Sequence, residues 1–172
     1  LALKFVNWNP LAINGIRSLF GLMVIGIYMK VIHHRLQTGP AVWMGAASYA
    51  LMTTMFVLSN KLTTAANAIV LQYTCPIWII LLSWFLYKKL PDRLQTGAVI
   101  LTGAGILCFF AGSLKTGSIA GDLTALLSGL FYAILFMLNS LKGGDALSSV
   151  FWGMGISCLC LSPMAFSQPP LD

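Results

Sequence analysis

The sequence predicts an all-α membrane protein, a multi-span helical bundle, and three observations carry that prediction. Of the 172 residues, 58% are hydrophobic and 8% are charged, against about 25% charged in ordinary soluble domains. Apolar runs of about 20 residues follow one another, the length a helix rising ~1.5 Å per residue needs to cross a ~30 Å hydrocarbon layer. The connections are short, "HHRLQTGP", "KLTT", "KKLPDR", "LKTGS" and "LKGGD", so successive helices must lie antiparallel in one bundle with no soluble domain between them.

Turn and charge clusters set the elements in order. Residues 1 to 6, "LALKFV", read as the last turns of an apolar segment. With Leu1 in place of methionine the chain reads as a fragment truncated at its start, and "SQPPLD" breaks off just after another apolar run. Six complete spans are expected between them, at about 10–31, 41–60, 65–87, 94–113, 119–140 and 147–166. Lys30, Arg35, Lys88, Lys89, Arg93 and Lys142 fall on one side of the membrane, and Lys4, Lys61 and Lys115 on the other. The richer side is cytoplasmic by the positive-inside rule, which puts the loops near residues 35, 90 and 143 inside a multi-pass inner (plasma) membrane protein. Trp8, Trp43, Trp84 and Tyr87 lie near span ends, where amphipathic rings favour the interface.

The net charge of +6 is spread over short loops as topology requires, so it implies no nucleic-acid partner. Cys75, Cys108, Cys158 and Cys160 fall within apolar runs without a CxxC pair and read as small buried hydrophobes. His33 and His34 share a loop with no acidic or cysteine ligand nearby in sequence, so no metal site is expected. No cluster of His, Asp, Glu and nucleophilic Ser marks a catalytic centre, and no cofactor motif occurs, so the chain reads as a non-enzyme. Asp122 and Asp145 sit near span ends, leaving no carboxylate deep in a complete span to relay protons.

Polarity inside the spans selects the candidate functional residues. Arg17 lies about seven residues into its span, and an arginine at mid-helix costs ~2.5 to 3.5 kcal/mol on insertion scales. It either lines a cavity or snorkels toward the outer headgroups. Asn14, Arg17, Gly21, Val24 and Tyr28 share one helix face at steps of three and four, a stripe that should turn from lipid. Tyr49, Thr53, Phe56 and Asn60 form a second stripe; Ala125, Ser128, Tyr132, Phe136 and Asn139 form a third. Each is either cavity wall or polar glue between helices. Pro76 sits in "NAIVLQYTCPIWIILLSWF" and denies the Gln72 carbonyl its backbone donor. Gln72's side chain lies on about the same face, so this break either meets solute or is a kink satisfied by a neighbouring helix. Gly97, Ala104, Cys108 and Gly112 make a small-residue stripe expected to pack closely on another helix.

The stretch "LALKFVNWNPLAINGIRSLFGLMVIGIY" matches "FMLNSLKGGDALSSVFWGMGISCLCLSPM" in pattern, at an offset of about 136 residues that covers five helices. A repeat with an odd number of crossings must sit inverted relative to its predecessor. The identities are few, so the pattern alone leaves the repeat open.

"NPLAINGIRSLFGLMVIGI", "TTAANAIVLQYTCPIWIILLSWFLYKKLPDRLQTGAVILTGAGIL" and "GDLTALLSGLFYAILFMLNS", in this order and spacing, resemble the EamA-like branch of the drug/metabolite transporter superfamily. The resemblance implies a ten-helix transporter built from two inverted five-helix repeats around a central substrate cavity, moving small metabolites. This chain would then be a fragment holding the first EamA-like repeat at 1–115, its first helix truncated, and the start of the second at 116–172. Members usually place Glu before Arg or Lys at the cytoplasmic end of the fourth helix; Lys88 and Lys89 stand here instead, which puts any salt bridge made there in doubt. On this reading the chain is a permease for amino acid, organic acid or drug-like solutes, working by alternating access in the export direction. The alternative is a membrane scaffold or lipid-interacting protein without a transport cycle. Its expected pathway residues are Asn14, Arg17, Tyr49, Thr53, Gln72, Pro76, Tyr132 and Asn139. Its partners are a small-molecule solute and the lipid bilayer, with a homodimer left open.

Overall fold

The computed structural model of the chain describes residues 10–88, 92–113 and 118–161, where all regular structure is helical. The helices are α1 (Pro10–Val31), α2 (Pro40–Leu62), α3 (Ala65–Gln72), α4 (Cys75–Tyr87), α5 (Arg93–Ser113), α6 (Ile119–Asn139) and α7 (Ala146–Leu161). Leu11–Val31, Pro40–Leu62, Ala65–Leu86 and Ile119–Asn139 are long and apolar enough to cross a bilayer. Arg93–Phe109 and Ala146–Leu161 are apolar but shorter. Four of the six expected spans thus stand at full length among the described residues; "LALKFV", Trp8 and "SQPPLD" lie outside them.

The distribution of polarity is that of a bundle solvated by lipid. Phe20, Met23, Val24 and Ile27 of α1 and Leu94, Leu101 and Leu107 of α5 are exposed, an arrangement that costs free energy in water in proportion to apolar area but not in hydrocarbon. Asn14, Ser59, Ser128, Ser148 and Ser149 are buried to completion. With no hydrophobic drive between helices in lipid, small and polar residues at the seams bring them together. The helix α2 lies at the centre, packed most extensively on α6 and then on α7, with α1 and α3 also against it. At Gly153 the approach of α7 is so close that a Cβ would stand 2.8 Å from the Ala46 carbonyl oxygen.

The third expected span is split at Tyr73 and Thr74. Pro76 occupies the first turn of α4, where its missing N–H is no loss. The Thr74 hydroxyl donates back to the Leu71 carbonyl at 2.7 Å, and the Ile77 N–H takes the Thr74 carbonyl at 2.9 Å, so the chain re-nucleates a helix from Thr74. Gly129 of α6 packs into this break: a Cβ there would lie 3.0 Å from the Gln72 carbonyl oxygen and 3.0 Å from the Thr74 hydroxyl. The oxygen that Pro76 leaves without its i+4 donor therefore faces α6.

Three expectations change. Gly97 of the α5 stripe has nothing within 4 Å of where its Cβ would stand, and Ala104 and Cys108 are exposed; small residues permit close approach but do not compel it, and among the described residues α5 touches α3 and α4 and little else. Gly112 belongs to the same helix, but its packing lies outside what is described. Cys75 and Cys158 are buried, but Cys108 and Cys160 are exposed, since any residue of an outer helix face counts as surface in lipid. On α1, Asn14 is buried and Gly21 meets Met154, whereas Val24 and Tyr28 remain exposed, because α7 crosses only part of that face.

Candidate functional site

Between α1, α2, α3, α6 and α7 lies a cavity of about 390 Å³. One face of α2 supplies Tyr49, Met52, Thr53 and Phe56 at steps of three and four, and α1 presents Arg17 opposite. The break between α3 and α4 brings Gln72 and Tyr73 to the wall; α6 adds Tyr132 and Leu135, and α7 adds Val150. Tyr132 is braced edge-on by Phe136, ring centroids 5.3 Å apart.

Of the eight residues expected on the pathway, Arg17, Tyr49, Thr53, Gln72 and Tyr132 line this cavity together. The other three border it or lie apart. Asn14, one turn from Arg17, donates to the Thr53 hydroxyl at 3.4 Å and to the Thr54 hydroxyl at 3.2 Å, joining α1 to α2. Its own carbonyl oxygen is buried without a partner among the described residues. Pro76 acts on the wall through the break that places Gln72. Asn139 accepts a hydrogen bond from Ser149 at 2.9 Å and ties α6 to α7 away from the cavity.

Sequence reasoning missed Met52, Tyr73, Leu135 and Val150. Tyr73 could have been found, because the residue at a helix break leaves the periodic faces of both halves. The three apolar residues carry no signal against an apolar background.

Arg17 is exposed toward the cavity and forms no ion pair among the described residues. The carboxylates of Asp122 and Asp145 are engaged at the two ends of the bundle. Asp122 accepts from the Thr63 hydroxyl at 2.7 Å and from the Asn67 amide at 3.5 Å, while Ser59 donates to the Gly121 carbonyl at 2.9 Å. At the other end His34 Nε2 lies 2.9 Å from Asp145 Oδ2, so His34 does have an acidic neighbour, 111 residues on. A Schellman turn presents it: His33 adopts φ 53°, and the His34 N–H reaches back to the Met29 carbonyl at 2.9 Å. Asp145 also caps α7 by accepting from the Ser148 N–H at 2.9 Å, and the Ser148 hydroxyl accepts from the Gln37 N–H at 3.0 Å. Burial pushes the Asp145 carboxyl up, but hydrogen bonds from Ser148 and His34, with the charge of His34, outweigh it and hold the group below its ordinary value.

Among the described residues no three of His, Cys, Asp and Glu gather as a metal would need. The chemistry available at the cavity is reversible binding: one guanidinium, an amide, phenolic hydroxyls and aromatic faces. Residues 1–111 match the model of a family described as the EamA-like transporter family. Neither the comparison with curated proteins nor that with solved structures returns a match.

Proposed function

The chain belongs to the EamA-like transporter family, and from that premise we propose that the cavity is the solute site of a permease that exports small metabolites across the inner membrane by alternating access. The observation that carries this is the convergence of Arg17, Tyr49, Thr53, Gln72 and Tyr132, from four helices, on one cavity of about 390 Å³, within the ~300 to 1,000 Å³ range of small-molecule sites. A broken helix beside such a site is a recurrent transporter device, because irregular backbone is tolerated in a membrane where it lines a cavity. In the full protein, residues 1–115 and 116–172 belong to two inverted five-helix repeats, which rock about the cavity. The loops near 35, 90 and 143 face the cytoplasm. Amino acids, organic acids and drug-like solutes are the candidate cargo.

The test is solute counterflow in vesicles containing the full-length protein, loaded in turn with labelled amino acids and organic acids. Transport of one class, reduced at least about tenfold by Arg17→Ala and by Gln72→Ala in folded protein, is the expected result; a tenfold loss corresponds to about 1.4 kcal/mol of transition-state stabilisation. Movement of no solute points instead to a scaffold or lipid-interacting role. Wild-type rates in both variants overturn the site assignment while leaving the transport reading intact.

A further inference from the structure

We propose that the cavity selects small organic monoanions carrying a ring-sized apolar body, and discriminates against cations, neutral isosteres and zwitterions. This rests on the reading of the cavity as the solute site. Arg17 is the one formally charged side chain on the described wall. No carboxylate of the described residues lines the cavity, and Asp122 and Asp145 are held by Thr63, Asn67, His34 and Ser148. A guanidinium left without a counterion on a cavity wall attracts an anion and presents a planar fork that suits carboxylate or sulfonate.

Zwitterions fail on the acceptor side. An ammonium group needs a carboxylate or several free oxygens within reach, and it is repelled by the same Arg17 charge. The Thr53 hydroxyl donates to the Ala50 carbonyl at 3.1 Å and accepts from Asn14, which leaves it one lone pair. Beside that single site, the side-chain acceptors on the described wall are the Gln72 amide and phenolic oxygens. Phenol and amide N–H groups serve better as donors to an anion than as a cage for a cation. The aromatic walls, Tyr49, Phe56, Tyr73 and Tyr132, match an apolar ring, and the cavity volume lies near the lower end for small-molecule sites.

Binding to the purified full-length protein in detergent tests this with four labelled probes: benzenesulfonate, which is anionic at every working pH, its neutral isostere benzenesulfonamide, zwitterionic phenylalanine, and methanesulfonate, which lacks the ring. Benzenesulfonate is expected to bind at least about tenfold more tightly than the other three, the scale of losing one charge-assisted hydrogen bond. Arg17→Gln should erase that preference, and Arg17→Lys should keep most of it. The wild-type series decides the matter even if a variant fails to fold. Equal binding of the sulfonamide or phenylalanine, or binding of no probe at millimolar concentration, overturns the proposal. Counterflow separates the two readings: charge-selective binding without translocation defeats the transport function alone, and translocation without charge preference defeats this inference alone.

Discussion

The two ends of the bundle are each tied by a carboxylate, but in different company. At one end Asp122 meets the hydroxyl of Thr63 and the amide of Asn67, and the backbones of α6 and the α2–α3 turn touch: a Cβ on Gly121 would fall 2.7 Å from the Thr63 nitrogen. At the other end Asp145 meets a histidine, and the loops approach loosely, with a Cβ on Gly39 at an ordinary 3.5 Å from the Gly143 carbonyl oxygen. One end thus joins its carboxylate to neutral donors under close packing, the other to a second titratable side chain under loose packing. Steric insults should fall on the first and changes in proton activity on the second.

The largest effect expected is that of Gly121→Ala. The added methyl meets backbone atoms of Leu62 and Thr63 that cannot swing aside, so the variant should lose about 3 kcal/mol of stability, the upper range for overpacking, read as a lowered unfolding midpoint in detergent. Gly39→Ala, at φ −79° and with room for the methyl, should change it by less than about 0.5 kcal/mol. Equal losses in the two would abolish the steric contrast between the ends. Thr63→Val comes next. Thr63 is buried and its hydroxyl bond to Asp122 is short, so keeping the shape while deleting the donor should cost about 2 kcal/mol, the range for a hydrogen bond to a charged group.

Much of the frame was legible in the sequence. The expected span at 10–31 matches α1, and 119–140 matches α6 to within one residue. Pro76 marked the break, because the loss of an N–H is a local fact independent of tertiary context. The polar stripe of α2 led to the cavity for a similar reason: polar side chains in a lipid-solvated helix must find protein or water. What could not be read depends on where helices stop facing one another. The α5 stripe looks like a packing face and is open at Gly97, while the His34 to Asp145 contact spans 111 residues and has no local trace. Asn139, polar and in register with Tyr132, serves as helix glue through Ser149 rather than as cavity wall; the alternatives were visible, but only the crossing of α6 with α7 could decide.

The smallest effect, and the one that sharpens the contrast most, is the pH response of the end holding Asp145. Its folded pKa is depressed, with Ser148 and His34 outweighing the opposing push of burial. A depressed carboxylate contributes stability in full above its unfolded value, about 3.9 for Asp, and loses it as pH falls through the folded value. The side chains are 26% and 15% exposed for His34 and Asp145, so solvent screening limits the contribution to roughly 1 kcal/mol or less. Wild type should therefore lose stability, as pH falls below about 4, by up to that amount more than Asp145→Asn does. The Gly121→Ala deficit, which deletes no ionisable group, should keep its size across the same range. An acid titration of unfolding midpoints for the three proteins reads both. Parallel curves for wild type and Asp145→Asn would show that the ionised Asp145 carboxylate contributes nothing measurable to the histidine end.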